Sequence, residues 1–281
     1  MSARSVESQR RTVSVNFLSR LVVVAAGLPL VLGSAYVGGW FLFALGLAAA
    51  LVALHEVYRL ARPLRPLVLA GFGGAIGTLL GAQLGGPTEM MGGFLVTFLL
   101  AFLFAAVSET RQSTTVAVAT TILGTAWIGI GLAFVLLVRD LGQLEQDGRN
   151  AIFALLLTVF VTDSVAYLGG RAFGRHKMTP VVSPGKTWEG FVLGAAAGVL
   201  TSFFTLYSSA IAPGWRGVAF GGAVVVAATA GDLFESLVKR DLGVKDTGRV
   251  LLGHGGVLDR VDSLLFAAPA AYFTLLALGK L

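Results

Sequence analysis

Acidic residues inside long apolar runs are the first candidates for chemistry. An ionisable side chain within a membrane span costs about 2.5–3.5 kcal/mol on insertion scales, so its presence there marks it as functional by default. Asp163, Asp232 and Glu235 fit that description, and Asp259 and Asp262 open the last apolar run. Asp232 and Glu235 stand three apart, as do Asp259 and Asp262, which puts each pair on one face of a helix. Grouped carboxylates suit Mg²⁺, which keeps several waters and takes substrate phosphates as further ligands. Arg260 projects away from Asp259 and Asp262, so a metal explains those two acids better than an internal ion pair does. For Glu235 and Asp241, neutralisation by neighbouring Lys and Arg is an equally good account.

Two basic, polar segments run between these acids, 171–188 and 239–258. The first contains Ser183-Pro184-Gly185-Lys186-Thr187-Trp188-Glu189-Gly190. A nucleotide P-loop would need a glycine five residues before Gly185, and that position is Pro180. What remains is Ser183, Lys186 and Thr187 just ahead of a helix starting near Glu189. Hydroxyl and ammonium donors there make an anion site, and Thr187 also serves as an N-cap. The second segment offers Lys239, Arg240 and Lys245, then His254-Gly255-Gly256 ahead of Asp259. Cations, glycines that admit a phosphate close to the backbone and paired acids together suit polyphosphate held with metal. A lone His254 reads first as a structural donor. These residues point to phosphoryl or nucleotidyl transfer at a membrane surface, without choosing a substrate.

The elements that must carry these residues are membrane helices. Of 281 residues, 56% are hydrophobic and 13% charged, and mean hydropathy is +0.82. Soluble domains carry about 25% charged residues. The absence of cysteine excludes a disulfide framework or a Cys-based zinc site, and three histidines argue against a His-based one. Apolar stretches of about 20 residues predict nine spans: 21–36, 38–55, 66–86, 91–107, 114–138, 151–170, 189–211, 217–237 and 261–279. The uncharged run from Leu21 to Leu54 is too long for a signal h-region of about 7–15 residues. With the N-terminus inside, the inner segments hold 17 Lys and Arg and the outer side four: Arg139, Arg149, Arg216 and Lys280. The positive-inside rule therefore predicts a cytoplasmic N-terminus and puts all five acids near the cytoplasmic side. The net charge of +6 reflects this topology rather than a nucleic-acid partner. Gly73, Gly77, Gly81 and Gly85 form a small-residue stripe for close helix packing, within the chain or between subunits. The chain divides into an N-terminal region of about five helices, 1–150, and a catalytic region of about four helices and two cytoplasmic loops, 151–281.

At Ser236, Lys239, Arg240, Lys245, Asp246, Gly248, His254, Gly255, Gly256, Asp259, Arg260 and Asp262 the sequence resembles the phosphatidate cytidylyltransferases. The blocks Asp163–Arg171 and Ser183–Gly190 resemble them too, while Leu252 stands where that family usually has proline or a small turn residue. The first 150 residues are similar only in kind, with Glu56-Val57-Tyr58-Arg59 closing the second span. The resemblance implies an inner-membrane enzyme that joins CTP to phosphatidic acid, giving CDP-diacylglycerol and pyrophosphate. It implies Mg²⁺, a second cation such as K⁺, and a homodimer. It makes Asp232, Lys239, Arg240, Asp259 and Arg260 catalytic and gives the metal to Asp232, Asp259 and Asp262. Ser183, Lys186, Thr187, Lys245, Asp246, His254, Gly255 and Gly256 would contact substrate. Two other classes fit some of the residues. A CTP-dependent polyprenol kinase would use similar groups plus a general base. An ion-coupled transporter would use Asp163 and Asp232, but such sites sit near the bilayer midplane between repeats, and no repeat is visible.

Overall fold

The computed structural model describes residues 25–107, 114–248 and 255–278. Among them, eight helices are long and apolar enough to cross a membrane. The shorter apolar α1 (Ala25–Val37) precedes α2 (Gly39–Leu60), α3 (Val68–Gly85) and α4 (Pro87–Val107). One continuous span follows, from Thr114 to Arg139, made of α5 (Thr114–Gly124), a π-helical stretch (Thr125–Ile130) and α6 (Gly131–Arg139). The remaining helices are α7 (Glu145–Phe173), α8 (Trp188–Leu206), α9 (Trp215–Asp241) and α10 (Leu258–Leu278). The chain is an all-α, polytopic membrane protein. Each of the nine predicted spans has its helix, although the predicted start of the first lies outside the described residues.

The helices outlast their apolar runs where the site is built. α7 has 29 residues, about 44 Å at 1.5 Å per residue, against a hydrocarbon core of about 30 Å. Its polar ends continue hydrogen-bonded past the apolar run, so it exceeds the predicted 151–170. α9 likewise continues to Asp241. Between α7 and α8, where only a loop was expected, β1 (Lys177–Thr179) and β2 (Ser183–Thr187) form an antiparallel hairpin, Lys177 opposite Thr187 and Thr179 opposite Ser183. Pro180, Pro184 and Gly185 hide that hairpin from propensity arguments.

Packing within the N-terminal region follows its small residues. A Cβ at Gly77 or Gly81 would meet the backbone of α4 at Gly93 or Glu89, and one at Gly73 or Gly85 would meet the side chain of Leu100 or Glu89. The partner of the glycine stripe is therefore α4 of the same chain. Buried Tyr58 donates to the Thr121 carbonyl at 2.8 Å, just before the π stretch. Trp127 of that stretch meets Phe234 of α9 edge-on at 4.9 Å, which joins the two regions.

At the opposite end of α6, buried Arg139 donates from Nε to the Ala35 carbonyl at 2.8 Å and from Nη2 to that of Tyr36 at 3.1 Å. Arg149 adds a bond of 3.1 Å to the Tyr36 carbonyl and lies 4.4 Å from the centre of the Tyr36 ring. These cations satisfy carbonyls that the C-terminus of α1 leaves open. Gly38, at φ 72°, turns the chain there, and any Cβ on it would strike the Arg139 guanidinium.

Candidate active site

Three helices and the hairpin bring the acids together. α7 supplies Asp163, α9 supplies Asp232, Glu235 and Lys239, and the first turns of α10 supply Asp259 and Asp262. Asp232 and Glu235 follow one another by a turn on α9, and Lys239 follows Glu235 by another, so one helix face carries two acids and a cation. Lys239 Nζ bridges Glu235 Oε2 at 2.8 Å and Asp259 Oδ1 at 3.0 Å, joining α9 to α10. From the hairpin, Lys186 Nζ reaches Asp232 Oδ2 at 2.7 Å. That contact is a close ion pair without hydrogen-bond alignment, so the buried ammonium keeps its directed donors unused.

The carboxylates divide into two kinds. Asp232, Glu235 and Asp262 each offer an oxygen within 4.8 Å of the others. Among the described residues, buried Glu235 Oε1 has no hydrogen-bond partner, whereas one oxygen of Asp262 accepts from the Ser263 N–H at 2.8 Å. Asp259 is instead held by donors: Gly256 N–H at 2.7 Å, Thr247 N–H at 3.3 Å and Lys239. The metal set expected from the resemblance was Asp232, Asp259 and Asp262. The geometry brings Glu235, rather than Asp259, together with the other two. Helical spacing already placed Glu235 beside Asp232. The missing signal was that Lys239, its natural partner, is shared with Asp259 and leaves Oε1 over.

Two cavities meet at this cluster. One, of about 650 Å³, is lined by Asp163, Asp232, Glu235, Lys239, Asp246, Gly255, Asp259, Arg260, Asp262 and Ser263. The other, of about 540 Å³, lies against α7, α8 and the hairpin, and its lining includes Tyr167, Arg171, Lys177, Ser183, Lys186, Thr187 and Phe191. Asp163 and Asp232 line both.

The remaining expected residues take different places. Thr187 caps α8, its hydroxyl accepting from Gly190 N–H at 3.2 Å, and its residue also borders the smaller cavity. Arg240 donates from Nε to the Val182 carbonyl at 3.2 Å and so ties the hairpin to α9. Lys245 is exposed next to Asp246. Gly256 is bound to Asp259, and His254 lies outside the described residues. Arg171 and Lys177, both bordering the smaller cavity, were counted only as topological charge in the sequence. Glu189 accepts from the N–H groups of Arg175 and His176 at 3.0 and 3.2 Å and meets His176 Nδ1 at 2.6 Å, closing the neck of the hairpin.

This clustering of acids and lysines where helices end occurs in a chain whose residues 18–278 match the family model described as the cytidylyltransferase family. The chain belongs to that family. Relatives named phosphatidate cytidylyltransferase include one from Mycobacterium bovis, 34% identical over 254 residues, covering 81% of this chain and 78% of that protein. Another, from Staphylococcus haemolyticus, is 30% identical over 263 residues, covering 91% and 96%. A third, from Brucella abortus, is 41% identical over 153 residues, covering 53% and 57%. The chain is thus a nucleotidyltransferase of the cytidylyltransferase family, and its cluster of acids and cations lies within the matched residues.

Proposed function

We propose that this enzyme transfers the cytidylyl group of CTP to phosphatidic acid at the cytoplasmic face of the cell membrane. The observation that carries the reading is a polar, acid-rich cavity opening beside a second one bounded by membrane helices, with Asp163 and Asp232 common to both. The acid-rich polar side suits a triphosphate bound with a metal ion, and the side between α7 and α8 suits a phosphate whose acyl chains stay in lipid. Membership of the family and the names of its relatives support the same pair of substrates.

The donor set fits Mg²⁺. Six carboxyl groups line the larger cavity against Lys239 and Arg260, a balance that by itself repels both substrates. Oxygen-only donors close together are the kind this ion takes, and Asp232, Glu235 and Asp262 would hold it. When bound, Mg²⁺ supplies the positive charge that accepts phosphate oxygens. The acid excess also leaves charge for a second cation such as K⁺. The homodimer implied by the resemblance would have to use a face other than the glycine stripe, which α4 covers.

The phosphatidate monoester is largely a dianion at neutral pH, its second pKa being about 6 by analogy with phosphoserine. It therefore needs no strong base. One of its oxygens attacks the α-phosphorus of CTP, the bond from that phosphorus to the β-phosphate bridging oxygen breaks, and pyrophosphate leaves. Lys186 and Arg171 stand where they can hold the monoester, and Lys239 and Arg260 where they can hold the polyphosphate in line. The test is incubation of purified protein with phosphatidate, Mg²⁺ and CTP labelled separately in cytidine and in the γ-phosphate. Cytidine label in the lipid and γ-label in pyrophosphate are expected. γ-Label in the lipid would make the protein a CTP-dependent kinase instead.

A further inference from the structure

Thr247 and the residues that open α10 are fastened from the other half of the chain. Glu56, near the end of α2, is 3% exposed. Its oxygens accept from Val257 N–H and Leu258 N–H, both at 3.0 Å, and Thr247 Oγ1 lies 3.5 Å away. Asp259 takes the adjoining donors, Gly256 N–H at 2.7 Å and Thr247 N–H at 3.3 Å. The amides of residues 256–258, which a helix start cannot satisfy internally, are thus divided between one acid of α10 and one of α2. Among the described residues, the hydrogen bonds of Glu56 all run to this segment.

Two glycines make room for it. A Cβ at Gly248 would run into the Glu56 carboxyl group, and one at Gly256 would meet both that group and the Thr247 hydroxyl. These glycines therefore do more than admit substrate: they let a buried carboxyl group enter from α2. A buried acid held for charge balance would face Lys or Arg. Glu56 instead uses its oxygens on backbone donors of the segment leading into Asp259 and Asp262.

We propose that Glu56 is a positioning residue of the transferase centre. It fixes the start of α10 and so sets Asp259 and Asp262 against the acids of α9 and the Lys239 ammonium. The inference rests on the reading of that cluster as the metal and polyphosphate site, and it gives a helix of the N-terminal region a part in the reaction.

Full-length Glu56→Gln and Glu56→Ala in detergent with phosphatidate provide the test, with two readouts. The first is hydrogen–deuterium exchange of peptides covering 255–262. The second is the Mg²⁺ concentration giving half-maximal formation of CDP-diacylglycerol, which does not depend on how much of a preparation is folded. Loss of a buried acceptor is expected to speed exchange about tenfold in Glu56→Ala, with a smaller rise in Glu56→Gln, which keeps one acceptor. Loosening the start of α10, which carries Asp262, is expected to raise the half-saturating Mg²⁺ concentration roughly 10-fold in Glu56→Ala, and less in Glu56→Gln. Faster exchange with unchanged Mg²⁺ dependence would reduce Glu56 to a packing role and overturn the proposal, as would wild-type values for both readouts in Glu56→Gln. Should Glu56→Ala not fold, Glu56→Gln decides alone. Wild-type protein that makes no CDP-diacylglycerol would refute the assigned reaction, and the exchange measurement would then decide the fastening separately.

Discussion

Replacing Glu235 by glutamine separates two ways of building the metal site. Glu235 faces Asp232 and Asp262 with oxygens within 4.8 Å. Each such pair of charges repels by about 3.5 kcal/mol at an effective dielectric constant of about 20. Against this, Lys239 lies 2.8 Å from Glu235, an attraction of about 6 kcal/mol on the same scale. The two repulsions and the one attraction nearly cancel, so Glu235→Gln should unfold near the wild-type temperature in EDTA. Adding Mg²⁺ breaks the tie. At 100 times its Kd a ligand stabilises by about 2.7 kcal/mol, which is roughly 5–10 °C at about 2–4 °C per kcal/mol. Removing one buried charged partner costs about 2–5 kcal/mol of binding, or about 30-fold at the lower end, and leaves a shift of at most about 2–3 °C at the same Mg²⁺ concentration. Asp259→Asn is the control. The oxygens of Asp259 are already taken by Gly256, Thr247 and Lys239, so this variant should start less stable yet keep most of its Mg²⁺-induced shift. Thermal unfolding in detergent with EDTA or Mg²⁺ reads all three proteins. A full shift in Glu235→Gln together with none in Asp259→Asn would refute the reasoning and return the metal to Asp259.

Two further predictions follow from contacts at the ends of the helices. Lys186→Ala should lower kcat/KM for phosphatidate by roughly 100-fold, about 2.7 kcal/mol. It should change stability by only about 1 kcal/mol, because its partner is partly exposed; undiminished turnover across a phosphatidate titration would leave Ser183 to Thr187 as a cap and a hairpin strand. In this cysteine-free chain, Asp241→Cys should react with an impermeant maleimide only from the cytoplasmic side and Gln143→Cys only from outside; labelling of Asp241→Cys in intact cells would reverse the orientation.

The spans were legible because each apolar run exceeds what a soluble core needs, and the acids were legible because they interrupt those runs. Thr187 was legible as a cap from its own hydroxyl and its place before Trp188. Spacing could not decide between Glu235 and Asp259. Both are members of three-apart pairs, and helical periodicity says which face a carboxylate is on but not which donors it will meet. That choice depends on Lys239 and on the amides of Thr247 and Gly256, contacts made only in the folded protein. Glu56 was hidden for a related reason. It stands at the edge of a span three residues before Arg59, where an acid costs little, and its partners lie 191 to 202 positions away. The outer cations Arg139 and Arg149 look like exceptions in a charge count. Their bonds to the α1 carbonyls give them a structural reason to be there.

The electrostatics of the cluster also bear on how two polyanions are accepted by an acidic cavity. In the structure both lysines are engaged: Lys186 lies against Asp232, and Lys239 lies between Glu235 and Asp259. Acids and lysines thus hold one another in a buried site that neither would occupy cheaply alone. The pairing at Lys186 is short but poorly aligned, so its attraction is Coulombic and its N–H donors stay available to another oxygen. Under the proposed reaction, a cation held by Asp232 would weaken the claim of that acid on Lys186. The ammonium would then face the cavity proposed for the lipid phosphate. Lys239 differs, because Asp259 is anchored by two backbone amides and continues to hold the ammonium from α10. On that reading Lys186 would be the cation that follows substrate, while Lys239, paired with both Glu235 and Asp259, keeps α9 and α10 in register.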